Sequence, residues 1–166
     1  IENKRILIVG DFDADGATAS AVAIKALRMM GAKFVDFLVP NRFEHGYGLS
    51  PEIVNEAKKE KDPDLIITVD NGISSIEGAS LARSLGIDVI ITDHHLPSTI
   101  LPDANAIINP NLEGCQFPSK NLAGVGVCFY LFSAFKTHLE GLSYFEKLKM
   151  STPDLRELLD LVALGT

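Results

Sequence analysis

Short runs of consecutive apolar residues alternate along this chain with longer segments in which apolar residues recur at helical spacing. The short runs predict strands. Because they are apolar throughout rather than alternating, both faces of each strand should be covered. Five strands are predicted, at residues 5–9, 33–39, 65–69, 87–92 and, as a short fifth strand, 104–108.

Helices are predicted between these strands and after the last one. The second helix has the clearest start, since Ser50 suits the N-cap and Pro51 the first helical position. The predicted helices cover residues 16–30, 51 onward, 75–85, 122–139 and 153–164, with residues 140–152 as a short linker. This alternation predicts one three-layer α/β/α domain over residues 1–166, with a mainly parallel, roughly five-stranded sheet and right-handed crossovers.

Acidic residues and histidines follow three of the predicted strands. In chain order the clusters are Asp11, Asp13 and Asp15; Asp70; and Asp93, His94 and His95. Open parallel sheets bind ligands beyond the carboxyl ends of their strands, which lie at one edge. We therefore expect the three clusters to converge there, although they are far apart in the sequence.

The first cluster has the spacing of a metal site. In an extended segment the carboxylates of Asp11, Asp13 and Asp15 point the same way, and three like charges need cations among them. An EF-hand calcium loop opens similarly, but Val22 stands where that loop has Glu, and a strand precedes the cluster. Helix capping, the other alternative, accounts for Asp15 at most. The spacing thus favours metal ligands.

The other two clusters add a carboxylate and an imidazole. An Asp after a strand is often only a turn former, but the position of Asp70 beside the other strand ends favours a ligand able to bridge two ions. Adjacent histidines point in different directions, so one interpretation takes His94 as a ligand and His95 as a phosphate-facing donor or acid, with Asp93 orienting them. The alternative is a solvated turn.

Mixed Asp and His ligands without a thiol cluster suit Mn²⁺ or Mg²⁺ better than Zn²⁺. Two such ions can activate a water molecule and hold the departing oxygen of a phosphoester. The residues alone therefore predict two-metal phosphoryl hydrolysis and leave the substrate open.

Two further segments are candidates for substrate contact. In the loop at residues 40–48, Arg42 is suited to phosphate, and Tyr47 or Phe43 to stacking on a base; the alternative is a surface loop with an exposed ion pair. Gly124 and Gly126 resemble a phosphate-binding turn, or alternatively allow close helix packing.

The overall charge changes this interpretation in one respect. With 22 acidic and 15 basic residues the net charge is −7, which argues against a broad basic face for nucleic acid. Metal ions can supply positive charge locally, or a basic partner domain lies outside the chain. No apolar run is long enough for a membrane span, and the unlike contexts of Cys115 and Cys128 favour a reducing, cytoplasmic compartment.

The chain resembles the DHH phosphoesterases, and within them the bacterial single-stranded-DNA exonucleases, over almost its whole length. The resemblance rests on residues 9–18, 40–43, 46–51, 68–74, 92–97 and 122–127, including the sequence Asp93-His94-His95. It implies a 5′-to-3′ exonuclease on single-stranded DNA that depends on Mn²⁺ or Mg²⁺ and works in recombination and repair. A hydrolase of short oligonucleotides, cyclic dinucleotides or pyrophosphate is the alternative.

The resemblance also implies residue roles and partners. The implied metal ligands are Asp13, Asp15, Asp70 and His94; the implied catalytic residues are Asp11, Asp93 and His95; and the implied substrate contacts are Arg42, Tyr47, Asn71 and His95. Implied partners are single-stranded DNA and, beyond it, single-strand-binding protein and a RecQ-type helicase.

Two departures from the family pattern affect these expectations. Some relatives have a metal-binding His where this chain has Val9, so the first metal site is expected either to lack one ligand or to be completed by Asp11. A further ligand Asp, the DHHA1 domain and an oligonucleotide-binding fold would follow Thr166. We therefore interpret the chain as a catalytic-core fragment and expect it to be inactive or weakly active alone.

Overall fold

A computed structural model describes residues 3–41 and 47–166 and contains one parallel sheet. The strands are β1 (Arg5–Gly10), β2 (Phe34–Leu38), β3 (Leu65–Val69), β4 (Asp88–Thr92) and β5 (Ala106–Ile108). Their spatial order is β2-β1-β3-β4-β5, and each neighbouring pair is parallel. The predicted α/β fold and its five parallel strands are confirmed, each within two residues of its predicted ends.

Helices cover both faces of this sheet. They are α1 (Ala14–Met29), α2 (Pro51–Glu60), α3 (Ile76–Ser84), α4 (Gly124–Gly141), α5 (Tyr144–Lys147) and α6 (Leu159–Gly165), with a 3₁₀ turn at Leu155–Leu158. Successive side chains of β1 enter opposite cores: Ile8 packs on the face of α1 and α4, and Val9 on the face of α2. Burying each such side chain stabilises the fold by roughly 1.5–3 kcal/mol, which is why the strands are apolar throughout.

Helix starts follow the capping residues. Ser50 caps α2 as predicted, accepting from the Ile53 N–H, and Pro51 is the first helical residue. Helix α1 begins two residues earlier than predicted because Asp13 acts as its N-cap, accepting from the Gly16 N–H at 2.9 Å. The predicted linker at residues 140–152 contains the short helix α5.

The strand order determines where the candidate site lies. Strands β1, β3 and β4 are adjacent at the centre of the sheet, in the registers Val9–Thr68 and Val69–Thr92. Their carboxyl ends therefore bring residues 11–15, 70 and 93–95 to the same edge. Within the described ranges, no helix has the length and apolar character to cross a membrane.

Candidate metal centre

Asp70 lies at the middle of this edge, in an environment that is costly for a carboxylate. It follows β3 directly, and its backbone has the left-handed φ of 62°, which Asp tolerates better than most residues. The side chain is 1% exposed, and its Oδ1 has no hydrogen-bond partner. A buried carboxylate oxygen without a donor is destabilising unless a proton or a cation completes it.

The charges around Asp70 increase this cost. Burial, and then the neighbouring charges of Asp15, Asp13, Asp93 and Asp11, raise the pKa of the Asp70 carboxyl to about 8. Negatively charged side chains therefore surround the buried carboxyl group of Asp70. A divalent cation would reverse each of these repulsions, so the electrostatics fit a metal site.

His94 offers a lone pair to the same position. Its Nδ1 lies 2.9 Å from the Leu122 carbonyl oxygen, which can only accept, so Nδ1 carries a proton, and in the neutral ring Nε2 is then an acceptor. The Nε2 atom lies 3.1 Å from Asp70 Oδ1 and 3.7 Å from Asp15 Oδ2. Two acceptors so close to each other need a cation or a proton between them, and a histidine held through its other nitrogen by a carbonyl is typical of metal ligands.

Two groups of three side chains could each hold an ion among the residues that the structure describes. One consists of Asp11, Asp13 and Asp70, and the other of Asp70, His94 and His95; within each, the ligand atoms lie within 4.8 Å of one another. Asp70 belongs to both groups and is placed to bridge two ions. Oxygen-rich ligands with one or two imidazoles suit Mn²⁺ or Mg²⁺.

Asp15, predicted as a metal ligand, also accepts two backbone hydrogen bonds. Its Oδ2 accepts from the Gly124 N–H at 2.7 Å and its Oδ1 from the Val125 N–H at 2.6 Å. Asp15 therefore caps helix α4, whose own N-cap residue, Ala123, has no side-chain oxygen. It belongs to neither group of three, whereas Asp11, expected only as a supporting acid, belongs to one.

Comparison with known proteins agrees with this centre. A family model described as the DHH family, N-terminal domain, matches residues 5–166. The chain belongs to the DHH family. The DHH signature is the Asp93-His94-His95 sequence that follows β4.

Relatives of known name and structure share this domain. The single-stranded-DNA-specific exonuclease RecJ of Escherichia coli K12 is 60% identical over 165 residues, which are 99% of this chain and 28% of that protein. A crystal structure of exonuclease RecJ bound to manganese superposes with a TM-score of 0.76 at 37% identity, covering 98% of this chain and 38% of that one. The crystal structure of RecJ from Thermus thermophilus in complex with Mn²⁺ superposes with a TM-score of 0.71 at 31% identity, covering 98% of this chain and 21% of that one.

The DHH aspartate and second histidine form a pair. Asp93 is 1% exposed, and its carboxylate accepts from the N–H groups of Ile73, His94 and His95 and from His95 Nδ1 at 2.6 Å. These four bonds use the accepting capacity of the carboxylate, so Asp93 orients its neighbours. Because Nδ1 of His95 donates to Asp93, its Nε2 remains available to a ligand.

Tyr47, Asn71 and Arg42 are the other residues that were predicted to contact the substrate. Tyr47 packs edge-on against His95, with ring centroids 6.1 Å apart. Burial, and then the charges of Asp11 and Asp93, raise the pKa of the Tyr47 phenol, which keeps it a donor. Asn71 is fully buried and donates to the carbonyls of Val9 and Val69, so it joins two strands, while its Oδ1 has no hydrogen-bond partner. Arg42 lies outside the described residues.

Gly124 and Gly126 do not form a phosphate-binding turn. The N–H groups that would bind a phosphate are taken by Asp15, and the glycines allow close packing instead. A Cβ on Gly124 would lie 2.6 Å from both Cβ and Cγ of Asp70, and one on Gly126 would lie 2.6 Å from a methyl carbon of Leu122. The packing alternative is thus the correct one.

A cavity of about 660 Å³ adjoins the DHH pair. Its lining includes Asp11, Tyr47, Asp93, His95 and the start of α3. Its volume lies in the range of sites for small molecules and single nucleotides.

Replacing Asp15 by asparagine distinguishes helix capping from metal ligation. An amide oxygen accepts from one N–H but presents its NH₂ to the other. We therefore expect the free energy of unfolding to fall by about 1–2 kcal/mol, while Mn²⁺ affinity changes less than about tenfold. The matched variant Asp13→Asn should lose far more affinity. Isothermal titration with Mn²⁺ and urea unfolding would measure both; equal losses of affinity would show that Asp15 is a ligand.

Proposed function

We propose that this chain is the metal-dependent catalytic domain of an exonuclease that hydrolyses the phosphodiester bonds of single-stranded DNA from the 5′ end. The observation that carries the proposal is the buried, unpartnered Oδ1 of Asp70 3.1 Å from Nε2 of His94, a ring held at its other nitrogen by the Leu122 carbonyl. The similarity over 99% of this chain to RecJ, which is named a single-stranded-DNA-specific exonuclease, supports the substrate class.

Asp11, Asp13, Asp70 and His94 would hold the metal ions, and Asp70 belongs to both groups of three. Divalent ions bound there would lower the pKa of a water molecule and neutralise the charge that develops on the phosphate. Asp15 supports this set from outside, through helix α4. The assignment replaces Asp15 by Asp11 among the ligands expected from the sequence.

The protein's own side chains supply position and proton transfer. His95, oriented by Asp93, presents Nε2 beside the centre; when the ring is protonated, its Nε2–H can donate to a phosphate oxygen or give its proton to the departing 3′ oxygen, which leaves the neutral ring. Tyr47 contacts His95 and lines the cavity, so its ring offers a surface on which a terminal base can stack. A substrate in this cavity would therefore meet His95 and Tyr47 side by side.

The acidic net charge is consistent with this arrangement. Four further carboxylates, those of Asp11, Asp13, Asp15 and Asp93, surround Asp70 at this centre. A phosphodiester would be repelled from this edge without metal ions. Binding of DNA to this domain should thus depend on the same ions as hydrolysis.

The chain spans 28% of the length of its Escherichia coli relative, so the activity of the whole protein is part of the proposal. Residues 1–166 would be its DHH catalytic domain, weakly active or inactive alone. Cytoplasmic single-stranded DNA is the substrate that the proposal names, with single-strand-binding protein and a RecQ-type helicase as partners in repair and recombination.

Mn²⁺ should stabilise this chain. At a concentration 100 times its dissociation constant, an ion that binds only the folded state adds about 2.7 kcal/mol, which corresponds to a rise in Tm of roughly 5–10 °C for a domain of this size. Calorimetry with and without EDTA would measure the rise. Asp70→Asn serves as the control, and an equal rise in that variant would show that the ion binds elsewhere.

Hydrolysis is tested with the longer protein that contains this domain. Single-stranded DNA carrying a label at its 5′ end should release labelled mononucleotides at once in Mn²⁺, and DNA labelled at its 3′ end only late. Cyclic dinucleotide and pyrophosphate are the competing substrates. Faster turnover of either one than of DNA would overturn the proposal, as would early release of the 3′ label.

A further inference from the structure

The segment between β5 and α4 holds both histidines of the DHH motif. Residues 93–95 follow β4 without forming helix or strand, so no ladder of backbone hydrogen bonds fixes the carbonyls of His94 and His95. Adjacent side chains outside regular structure are free to rotate, yet these two rings lie with centroids 4.7 Å apart. Asp93 accepts from the backbone N–H groups of this pair, so a further contact must hold the two carbonyls.

Asn111 supplies the contact for His94. Its Nδ2 donates to the His94 carbonyl at 2.6 Å. Eleven residues later in the same segment, the Leu122 carbonyl accepts from His94 Nδ1. One segment thus fixes both the backbone and the tautomer of His94.

Asn109 supplies the equivalent contact for His95. It is 4% exposed, and its Nδ2 donates to the His95 carbonyl at 2.9 Å. Its Oδ1 accepts from the Asn111 N–H at 2.8 Å, so the two amides are joined. Through Asp93, the ring of His95 is fixed as well.

Lys120 closes the segment on itself. Its ammonium donates to the carbonyls of Pro110 and Cys115, at 2.5 and 2.8 Å. These bonds fix the path of the loop from Asn111 to Leu122. They therefore also set the distance between the two groups that contact His94, the Asn111 amide and the Leu122 carbonyl.

We propose that Asn109 and Asn111 are positioning residues of the metal centre: their amides hold the backbone of the DHH histidines so that His94 Nε2 faces Asp70 and His95 Nε2 faces the substrate. The inference rests on the function proposed above for the same centre. Outer partners of metal-ligating histidines affect affinity because they fix ring orientation, typically by 10–100-fold when removed.

The test compares Asn111→Ala with Asn105→Ala in this chain. Asn105 is a matched control, since its amide also joins backbone and side-chain groups, at Val89 and Asp88, but at the other end of β4. Mn²⁺ affinity, measured by electron paramagnetic resonance of free Mn²⁺, should fall at least tenfold in Asn111→Ala and stay within twofold in Asn105→Ala. Asn111→Ser, which keeps a hydroxyl donor, should lie between.

A second measurement needs no metal. In ¹⁵N-labelled protein, the ring-nitrogen shifts of His94 should report the Nδ1–H tautomer in the wild type and in Asn105→Ala, and a tautomer mixture in Asn111→Ala. Asn109→Ala should broaden the ring signals of His95 in the same way. These shifts would not respond to a general loss of stability.

The outcomes separate the two proposals. If the wild-type chain binds no Mn²⁺, the proposed centre is wrong, and the tautomer measurement alone decides the role of the asparagines. If the wild type binds Mn²⁺ but both Asn111 variants retain its affinity and tautomer, the positioning role is wrong and the centre stands. If Asn111→Ala does not fold, Asn111→Ser gives the same comparison.

Discussion

Replacing Asp70 by asparagine should abolish metal-dependent hydrolysis and at the same time make the metal-free domain more stable near neutral pH. Removing the carboxylate shared by both groups of three should cost at least roughly a thousandfold in rate, equivalent to about 4 kcal/mol. Stability should rise for two reasons. Asn tolerates the left-handed backbone at this position. Its amide can also donate to His94 Nε2, which in the wild type lies 3.1 Å from the unpartnered Oδ1 of Asp70.

The gain in stability should depend on pH in a defined way. The pKa of Asp70 is raised to about 8 in the folded protein, from an ordinary value of 3.8. Below the lower value both states are protonated and the variant gains nothing from charge. Between the two values the folded state keeps a proton that the unfolded state releases, so wild-type stability falls as pH rises, by up to about 1.4 kcal/mol per pH unit. Above about pH 8 the difference levels off.

Urea unfolding of wild type and Asp70→Asn from pH 4 to 9, in EDTA, would measure this difference. Asp88→Asn, at the opposite end of the sheet, is the control and should show no comparable growth with pH. If the difference between wild type and Asp70→Asn stays flat across this range, Asp70 is not the strained acid described here. Hydrolysis by Asp70→Asn at the wild-type rate would reject the two-metal centre.

Replacing Gly124 by alanine should damage the metal centre although alanine favours helices. The added Cβ would overlap the carboxylate of Asp70, with its Cβ and Cγ only 2.6 Å away. The start of α4 must then move away, and the Asp15 cap and the Leu122 carbonyl that fixes His94 move with it. We expect a loss of about 1–3 kcal/mol in stability and at least a hundredfold in metal-dependent activity.

The same helix provides the control. Gly141 is the last residue of α4, and a Cβ there would meet nothing within 4 Å. Gly141→Ala should therefore be neutral or stabilise the protein by up to about 1 kcal/mol, with unchanged activity. Thermal unfolding and Mn²⁺ titration of both variants would compare them; equal behaviour would mean that the start of α4 tolerates displacement.

Local chemistry made most of the fold predictable from the sequence. Continuous apolar runs identified each of the strands that the structure describes, and Ser50 and Pro51 identified a helix start to the residue, because capping depends on neighbours in the chain. Convergence of Asp70 with the DHH residues followed from the rule for parallel sheets. Here the deciding interactions lie within one element or follow from topology.

The different roles of Asp11, Asp13 and Asp15 could not be predicted in the same way. Alternate spacing treats Asp11, Asp13 and Asp15 alike, and only a contact across 109 residues, with the start of α4, makes Asp15 a helix cap. One signal was available, since α4 begins with Ala123 and two glycines and lacks a capping side chain of its own. The environment of Val9 could not be predicted either. Its side chain packs into the apolar core, so this chain offers no ligand at that position.

The contact between Asp15 and the start of α4 also bears on the order in which this protein matures. A ribosome that has reached residue 120 of this chain has already produced every carboxylate and histidine named at the centre. It has not yet produced the helix end that donates to Asp15 or the carbonyl that fixes His94. Contacts between such distant segments form late in folding. The nascent chain therefore carries the ligand side chains before they are positioned, and an ordered metal site forms only once α4 has been made.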